Sequence, residues 1–109
     1  MAAEEGAGQA ALVISDGAFE GTRYALCAEE TLIGRNPTTD ITLLDESISR
    51  EHAIVSRDES SGDYTLEDLQ STNGSKVNGK RVRSAQLQDG DEIEIGHTKF
   101  KFLLNSVPS

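Results

Sequence analysis

Three segments far apart in the chain carry groups suited to hold an oxyanion: Gly34-Arg35, Ile48-Ser49-Arg50-Glu51-His52, and Ser71-Thr72-Asn73-Gly74. A guanidinium donates two parallel, charge-assisted hydrogen bonds to a phosphate or carboxylate. Hydroxyls donate to single oxygens, and a carboxamide both donates and accepts, so it can pair with a peptide main chain. Ser49 and His52 also invite a nucleophile-and-base reading. That chemistry needs an orienting acid and an oxyanion hole built around the pair. No nucleophile elbow accompanies them, and no cysteine-histidine spacing suggests a metal. The segments therefore read as binding loops, with no catalytic residue and no metal ligand assigned.

Loops so separated can converge only if the elements between them bring them together. The chain has 109 residues, most simply one domain. With two Tyr, three Phe and no Trp, its core must lean on Val, Ile and Leu, which suit strands. Short apolar or alternating runs recur between turn signals: Leu12 to Ile14, Arg23 to Ala28, Thr31 to Ile33, Ile41 to Leu43, His52 to Arg57, Tyr64 to Leu69, Asp91 to Ile95 and Lys99 to Leu103. Asp58 to Asp63 reads as a hairpin connection. Asn78-Gly79 has the composition of a type I′ turn, and Asp89-Gly90 reads as a second such turn. No window sustains a helical period, and Ala85 to Asp89 is too short for a helix. About nine to eleven short strands predict an all-β sandwich or barrel, whose loops gather at its ends.

Charge narrows the partners. The net charge is -9, from 19 acidic and 10 basic residues, which disfavours nucleic acid and anionic membrane. From Gln70 to Gln88, however, there are four basic residues, Lys76, Lys80, Arg81 and Arg83, and no acid. That run is either a solvated strand edge or the surround of an anion site. The single cysteine, Cys27, excludes an intrachain disulfide and reads as a small apolar filler in a strand. No apolar run reaches membrane-spanning length, and the start lacks the basic region of a signal peptide. The expected location is cytoplasmic. No cofactor is expected.

Taken in order, Gly34-Arg35, Ser49-x-x-His52, Thr72-Asn73-Gly74, Val77-Asn78-Gly79 and Leu87-x-x-Gly90-Asp91-x-Ile93-x-Ile95-Gly96 resemble a forkhead-associated (FHA) domain, a reader of phosphothreonine peptides. The resemblance runs from about Leu12 to Leu104. It implies an eleven-stranded, FHA-like β-sandwich, related to the SMAD/FHA type, that binds its ligand through loops at one end. It also implies that Arg35, Ser49, Arg50 and Thr72 gather the phosphate, and that Asn73 clamps the peptide main chain. Lys76 and Ser47 would be accessory. Gly34, His52 and Gly74 would support the site, His52 by bracing the loop that presents Ser49. His97 reads as an exposed turn residue.

The expected organisation is a flexible lead-in over residues 1–11, the FHA domain over 12–105 and a tail over 106–109. The expected function is non-enzymatic, phosphothreonine-dependent binding of a partner, itself a Ser/Thr kinase substrate or the kinase, by a monomeric domain without nucleic acid or membrane. The alternative is a structural domain that uses a sheet face independently of phosphorylation. The acidic start of Asp45-Glu46-Ser47-Ile48 predicts a basic or neutral peptide residue at the third position after the phosphothreonine. Residues 1–21 contain no Thr, so a self-inhibiting phosphorylated tail is not expected, and the ends of the chain suggest a module.

Overall fold

The structure is a computed structural model that describes residues 10–17, 19–26 and 29–104. Its strands are β1 (Ala10–Asp16), β2 (Arg23–Leu26), β3 (Glu30–Gly34), β4 (Ile41–Thr42), β5 (Ala53–Arg57), β6 (Tyr64–Asp68), β7 (Ser75–Val77), β8 (Lys80–Val82), β9 (Ser84–Leu87), β10 (Glu92–Ile95) and β11 (Thr98–Leu104). They form two sheets, one of six strands in the order β2-β1-β11-β10-β7-β8 and one of five in the order β4-β3-β5-β6-β9. All pairings are antiparallel except β3 with β4, where Ile33 faces Ile41 and Gly34 faces Thr42. This is the all-β sandwich expected of the sequence.

Period-two alternation decides which face each strand buries. In β10, Ile93 and Ile95 are fully buried and Glu92 and Glu94 lie outward. In β11, Phe100 and Phe102 point inward and Lys101 is exposed. The facing sheet contributes Ile33, Ala53, Val55, Tyr64, Leu66 and Leu87. The two inner faces meet at Tyr64 and Phe102, whose ring centroids lie 5.4 Å apart and tilted by 60°.

Several elements differ from expectation. Ala10 and Ala11, assigned to the lead-in, belong to β1, where they lie opposite Leu104 and Leu103. Alanine is a weak strand former, but a place between β2 and β11 outweighs propensity. Residues 84–87 form β9, with Ala85 opposite Leu66. Their Ser-Ala-Gln-Leu sequence shows no strand signal, and burial of Leu87 recruits them. Asp89-Gly90 is not a hairpin turn. It joins β9 and β10, which lie in different sheets, so it is a corner. Gln88 N–H donates to Asp91 Oδ2 there at 2.8 Å. Residues 1–9, Cys27, Ala28 and the tail over 106–109 fall outside the described residues.

The β3–β4, β4–β5 and β6–β7 connections, the β8–β9 crossing and the β10–β11 turn gather at one end of the sandwich. Backbone bonds tie them: Arg35 N–H to Ser49 C=O at 3.0 Å, Leu69 N–H to His52 C=O at 2.9 Å and Asp68 N–H to Arg83 C=O at 2.8 Å. The β7–β8 turn lies at the far end. There Asn78 and Gly79 adopt φ of 54° and 84°, as a type I′ hairpin requires. Gly79→Ala is expected to cost about 1 kcal/mol of stability by placing a Cβ at positive φ. Urea denaturation would show this, with the loops of the opposite end unaltered.

Candidate functional site

The site is assembled mainly by main-chain atoms. At the end of β3, a Cβ on Gly34 would collide with the carbonyl of Arg50, so only glycine lets the two backbones meet. That approach places the β3–β4 loop on the β4–β5 loop. Arg35 N–H donates to Ser49 C=O at 3.0 Å and Asn36 N–H to Arg50 C=O at 3.2 Å. Arg35 Nε–H donates to Ile48 C=O at 3.1 Å, which leaves both terminal nitrogens of the guanidinium for solvent or ligand. The buried Thr39 hydroxyl lies 2.7 Å from Asn36 C=O and braces this loop from within.

His52 holds the second junction. It is completely buried, and its four polar atoms all have partners. Its N–H donates to Ile33 C=O and its C=O accepts from Leu69 N–H, both at 2.9 Å. Nδ1 accepts the Ser49 N–H at 3.1 Å. Nε2 lies 2.8 Å from Gly74 C=O. A backbone N–H can only donate and a carbonyl can only accept, so the ring is neutral with its proton on Nε2. The nucleophile-and-base pair considered from sequence does not form. The ring bonds the Ser49 main chain, not Oγ, and neither ring nitrogen is left for proton transfer. His52 thus staples the Ser49 loop to the Asn73 loop.

Ser49 Oγ accepts the Thr72 N–H at 3.1 Å, so the Ser49 hydroxyl proton remains available to a ligand. Asn73 Nδ2 donates to Ser47 C=O at 2.7 Å, which fixes the amide while its oxygen and second N–H stay exposed. Arg35, Ser49, Thr72 and Asn73 are therefore brought to one place. Arg50 sits on the rim, exposed, joined to the site through its carbonyl. Lys76 is exposed on β7 and lies across from Glu94 on β10, so its charge is partly offset. Among the described residues, Arg35 forms no ion pair. Asp40 and Asp45, the carboxylates of the loops that follow it, are engaged elsewhere, Asp40 by Leu32 N–H at 2.8 Å and Asp45 by Ser47 N–H at 2.9 Å.

Two carboxylates brace the loops: Asp68, to which the sequence reading gave no role, and Asp45, which it placed facing the peptide. Asp68 accepts from Ser71 N–H, Ser71 Oγ and Ser75 Oγ at 2.8, 2.6 and 2.7 Å. Ser71 Oγ in turn accepts Gly74 N–H at 2.9 Å. Burial pushes the Asp68 carboxyl up, but the hydrogen bonds from Ser71 and Ser75 outweigh it and hold the carboxyl below its ordinary value. Asp45 accepts from Ser47 N–H at 2.9 Å, Ser47 Oγ at 2.8 Å and His97 N–H at 3.1 Å. The Ser47 N–H foremost, then the Ser47 hydroxyl and His97, outweigh burial and lower the Asp45 carboxyl to about 2. The Asp-x-Ser and Asp-x-x-Ser spacings, which favour such side-chain-to-backbone turns, were the available signal. His97 is exposed, as expected, and its turn is pinned to Asp45. Asp45 is thereby turned into its own loop, which weakens the expectation that it faces a ligand.

The FHA domain family model matches residues 31–96. The chain is 42% identical over 100 residues to an oxoglutarate dehydrogenase inhibitor of Corynebacterium jeikeium, covering 91% of this chain and 67% of the relative. It is 40% identical over 96 residues to the glycogen accumulation regulator GarA of Mycolicibacterium smegmatis, covering 88% of this chain and 60% of GarA. A solved structure from work on phosphothreonine-dependent FHA domain interactions superposes with a TM-score of 0.81 at 33% identity, covering 91% of this chain and 99% of that one.

His52→Ala is expected to remove about 3 kcal/mol of stability through a cavity and two orphaned backbone groups. Hydrogen exchange of the Ser49 amide should accelerate beyond the global effect. A second test uses acid. Asp45 and Asp68 have folded pKa values below their unfolded ones, so their contribution is present above about pH 4. It is lost as pH falls through the folded values, for Asp45 from 3.8 toward about 2. Thermal melts should show this fall, and Asp45→Asn should flatten it.

Proposed function

Since the chain belongs to the FHA domain family, we propose that it is a phosphothreonine-dependent protein-interaction module without enzymatic activity, and that Arg35, Ser49, Arg50, Thr72 and Asn73 form its phosphopeptide site. The observation that carries the assignment is the junction of Ser49 with Thr72. Ser49 Oγ takes the Thr72 N–H, which leaves its own proton for a ligand, and the loops joined to it carry the free guanidinium nitrogens of Arg35 and the exposed amide of Asn73. A dianionic phosphate placed there meets a guanidinium and hydroxyl donors fixed before it arrives. Asn73, already held by Ser47 C=O, pairs with the peptide main chain beside the phosphothreonine.

Selectivity for phosphothreonine over phosphoserine follows if the γ-methyl is buried, an effect on the order of 1 kcal/mol. The partner is then a substrate of a Ser/Thr kinase, or the kinase itself. The named activities of the oxoglutarate dehydrogenase inhibitor and of GarA are those of proteins of which this chain spans 67% and 60%. They support a regulatory role for a module of this kind. Among the described residues, no helix is long and apolar enough to cross a membrane.

Arg35→Ala is expected to weaken binding of a phosphothreonine peptide by about 2 kcal/mol or more, the scale of a charge-assisted hydrogen-bond pair. Ser49→Ala should cost about 1 to 2 kcal/mol. Calorimetry reads both, and melting temperatures should change little for Arg35→Ala. Unchanged affinity in both variants, or equal binding of the unphosphorylated peptide, contradicts the assignment.

A further inference from the structure

The basic run of the sequence folds into a surface that the phosphate site leaves unused. Lys76 on β7 and Arg81 on β8 are cross-strand partners, so like charges stand directly opposite one another, a destabilising arrangement. The Arg81 guanidinium packs over Gly74, the residue that ends the Thr72-Asn73 loop. Arg83 lies beyond β8, at the crossing between the sheets, where its carbonyl is held by Asp68 N–H at 2.8 Å. Arg81 and Arg83 line one cleft together with Ser71 and Gln70. Asp68 also borders it, but its carboxylate is occupied by Ser71 and Ser75. Glu67 lines an adjoining cleft together with Arg83, but among the described residues neither arginine forms an ion pair.

Cations on β8 guard an edge strand against pairing with another chain. That role explains Lys80 and does not explain Arg83, which follows the strand and faces the ligand end. In a chain of net charge -9, two unpaired guanidiniums beside the recognition loop form a place for a negative group. We propose that Arg81 and Arg83 form a second anion subsite that takes an acidic group of the same phosphorylated partner, either a second phosphoryl group or an Asp or Glu side chain. The proposal rests on the phosphothreonine-reading function. It assigns Arg81 and Arg83 to partner selection and leaves the first phosphate to Arg35, Ser49, Arg50 and Thr72.

The test measures binding of the full 109-residue chain by fluorescence anisotropy. The probes are phosphothreonine peptides with neutral flanks, with an Asp pair, or with a second phosphothreonine, each group placed before or after the first. The expected result is binding about tenfold tighter with the added anion on one side. An advantage for both anions identifies charge as the feature read, and an advantage for the second phosphothreonine alone identifies a doubly phosphorylated partner. The Arg81→Gln, Arg83→Gln double variant should lose this advantage while binding the neutral-flanked peptide within about twofold of the wild type. Arg83→Gln alone, which leaves the Gly74 contact intact, should lose part of it without a fall in melting temperature. An advantage that persists in the double variant, or an equal loss for every peptide, overturns the subsite. Wild-type binding of the neutral-flanked peptide with no gain from either anion overturns the subsite alone. Failure of the wild type to bind any phosphothreonine peptide overturns the reading beneath it.

Discussion

A buried, neutral imidazole is the constraint on which the ligand end depends. His52 has no contact with solvent, and each ring nitrogen is committed to a backbone group of a different loop, Ser49 N–H and Gly74 C=O. A buried polar ring is tolerated only when its nitrogens are satisfied, because an orphaned one costs about 1 to 3 kcal/mol. The loops therefore cannot separate without exposing that cost. Gly34 sets the complementary condition by letting the β3 backbone reach the Arg50 carbonyl. Between them, a histidine and a missing side chain define the floor of the site. Arg35, Ser49, Thr72 and Asn73 stand on that floor.

Much of this architecture is legible in the residues. Alternation in Asp91 to Ile95 and Lys99 to Leu103 marks β10 and β11, because one face is wet and the other buried. Asn78-Gly79 marks its hairpin because few other pairs accept two positive φ values. Ser84 to Leu87 escapes, since its strand character comes from partners on β6 and from the core, neither of which is local. Ala10 and Ala11 escape for the same reason. In the site, residues that point outward carry recognisable chemistry. The braces do not: Asp45 and Asp68 read as surface charges until the hydroxyls and amides they accept are in view. Only the fold reveals that Arg81 lies against Gly74.

The distribution of charge reconciles an acidic chain with the proposed phosphate site. Net charge governs behaviour at long range, where salt screens it beyond about 8 to 10 Å. At contact, what matters is which charges face the ligand. Asp40, Asp45 and Asp68 all border the site loops, and each is turned inward to accept from main-chain or hydroxyl donors. Their charge supports the loops while the guanidinium nitrogens of Arg35 stay outward. The carboxylates thus stabilise the shape of a site that would repel them if they faced it.

The loops are joined chiefly through carbonyls, those of Ser47, Ile48, Ser49, Arg50 and Gly74. Every residue type except proline offers the same backbone donor and acceptor, so these joints are indifferent to most changes in the side chains they carry. Outward groups such as those of Arg50 and Lys76 can vary without dismantling the platform. In evolutionary terms the ligand end separates what must be kept from what can drift. A small set of positions, Gly34, His52 and Gly74 among them, holds the frame, and the rim is free to acquire new preferences one substitution at a time.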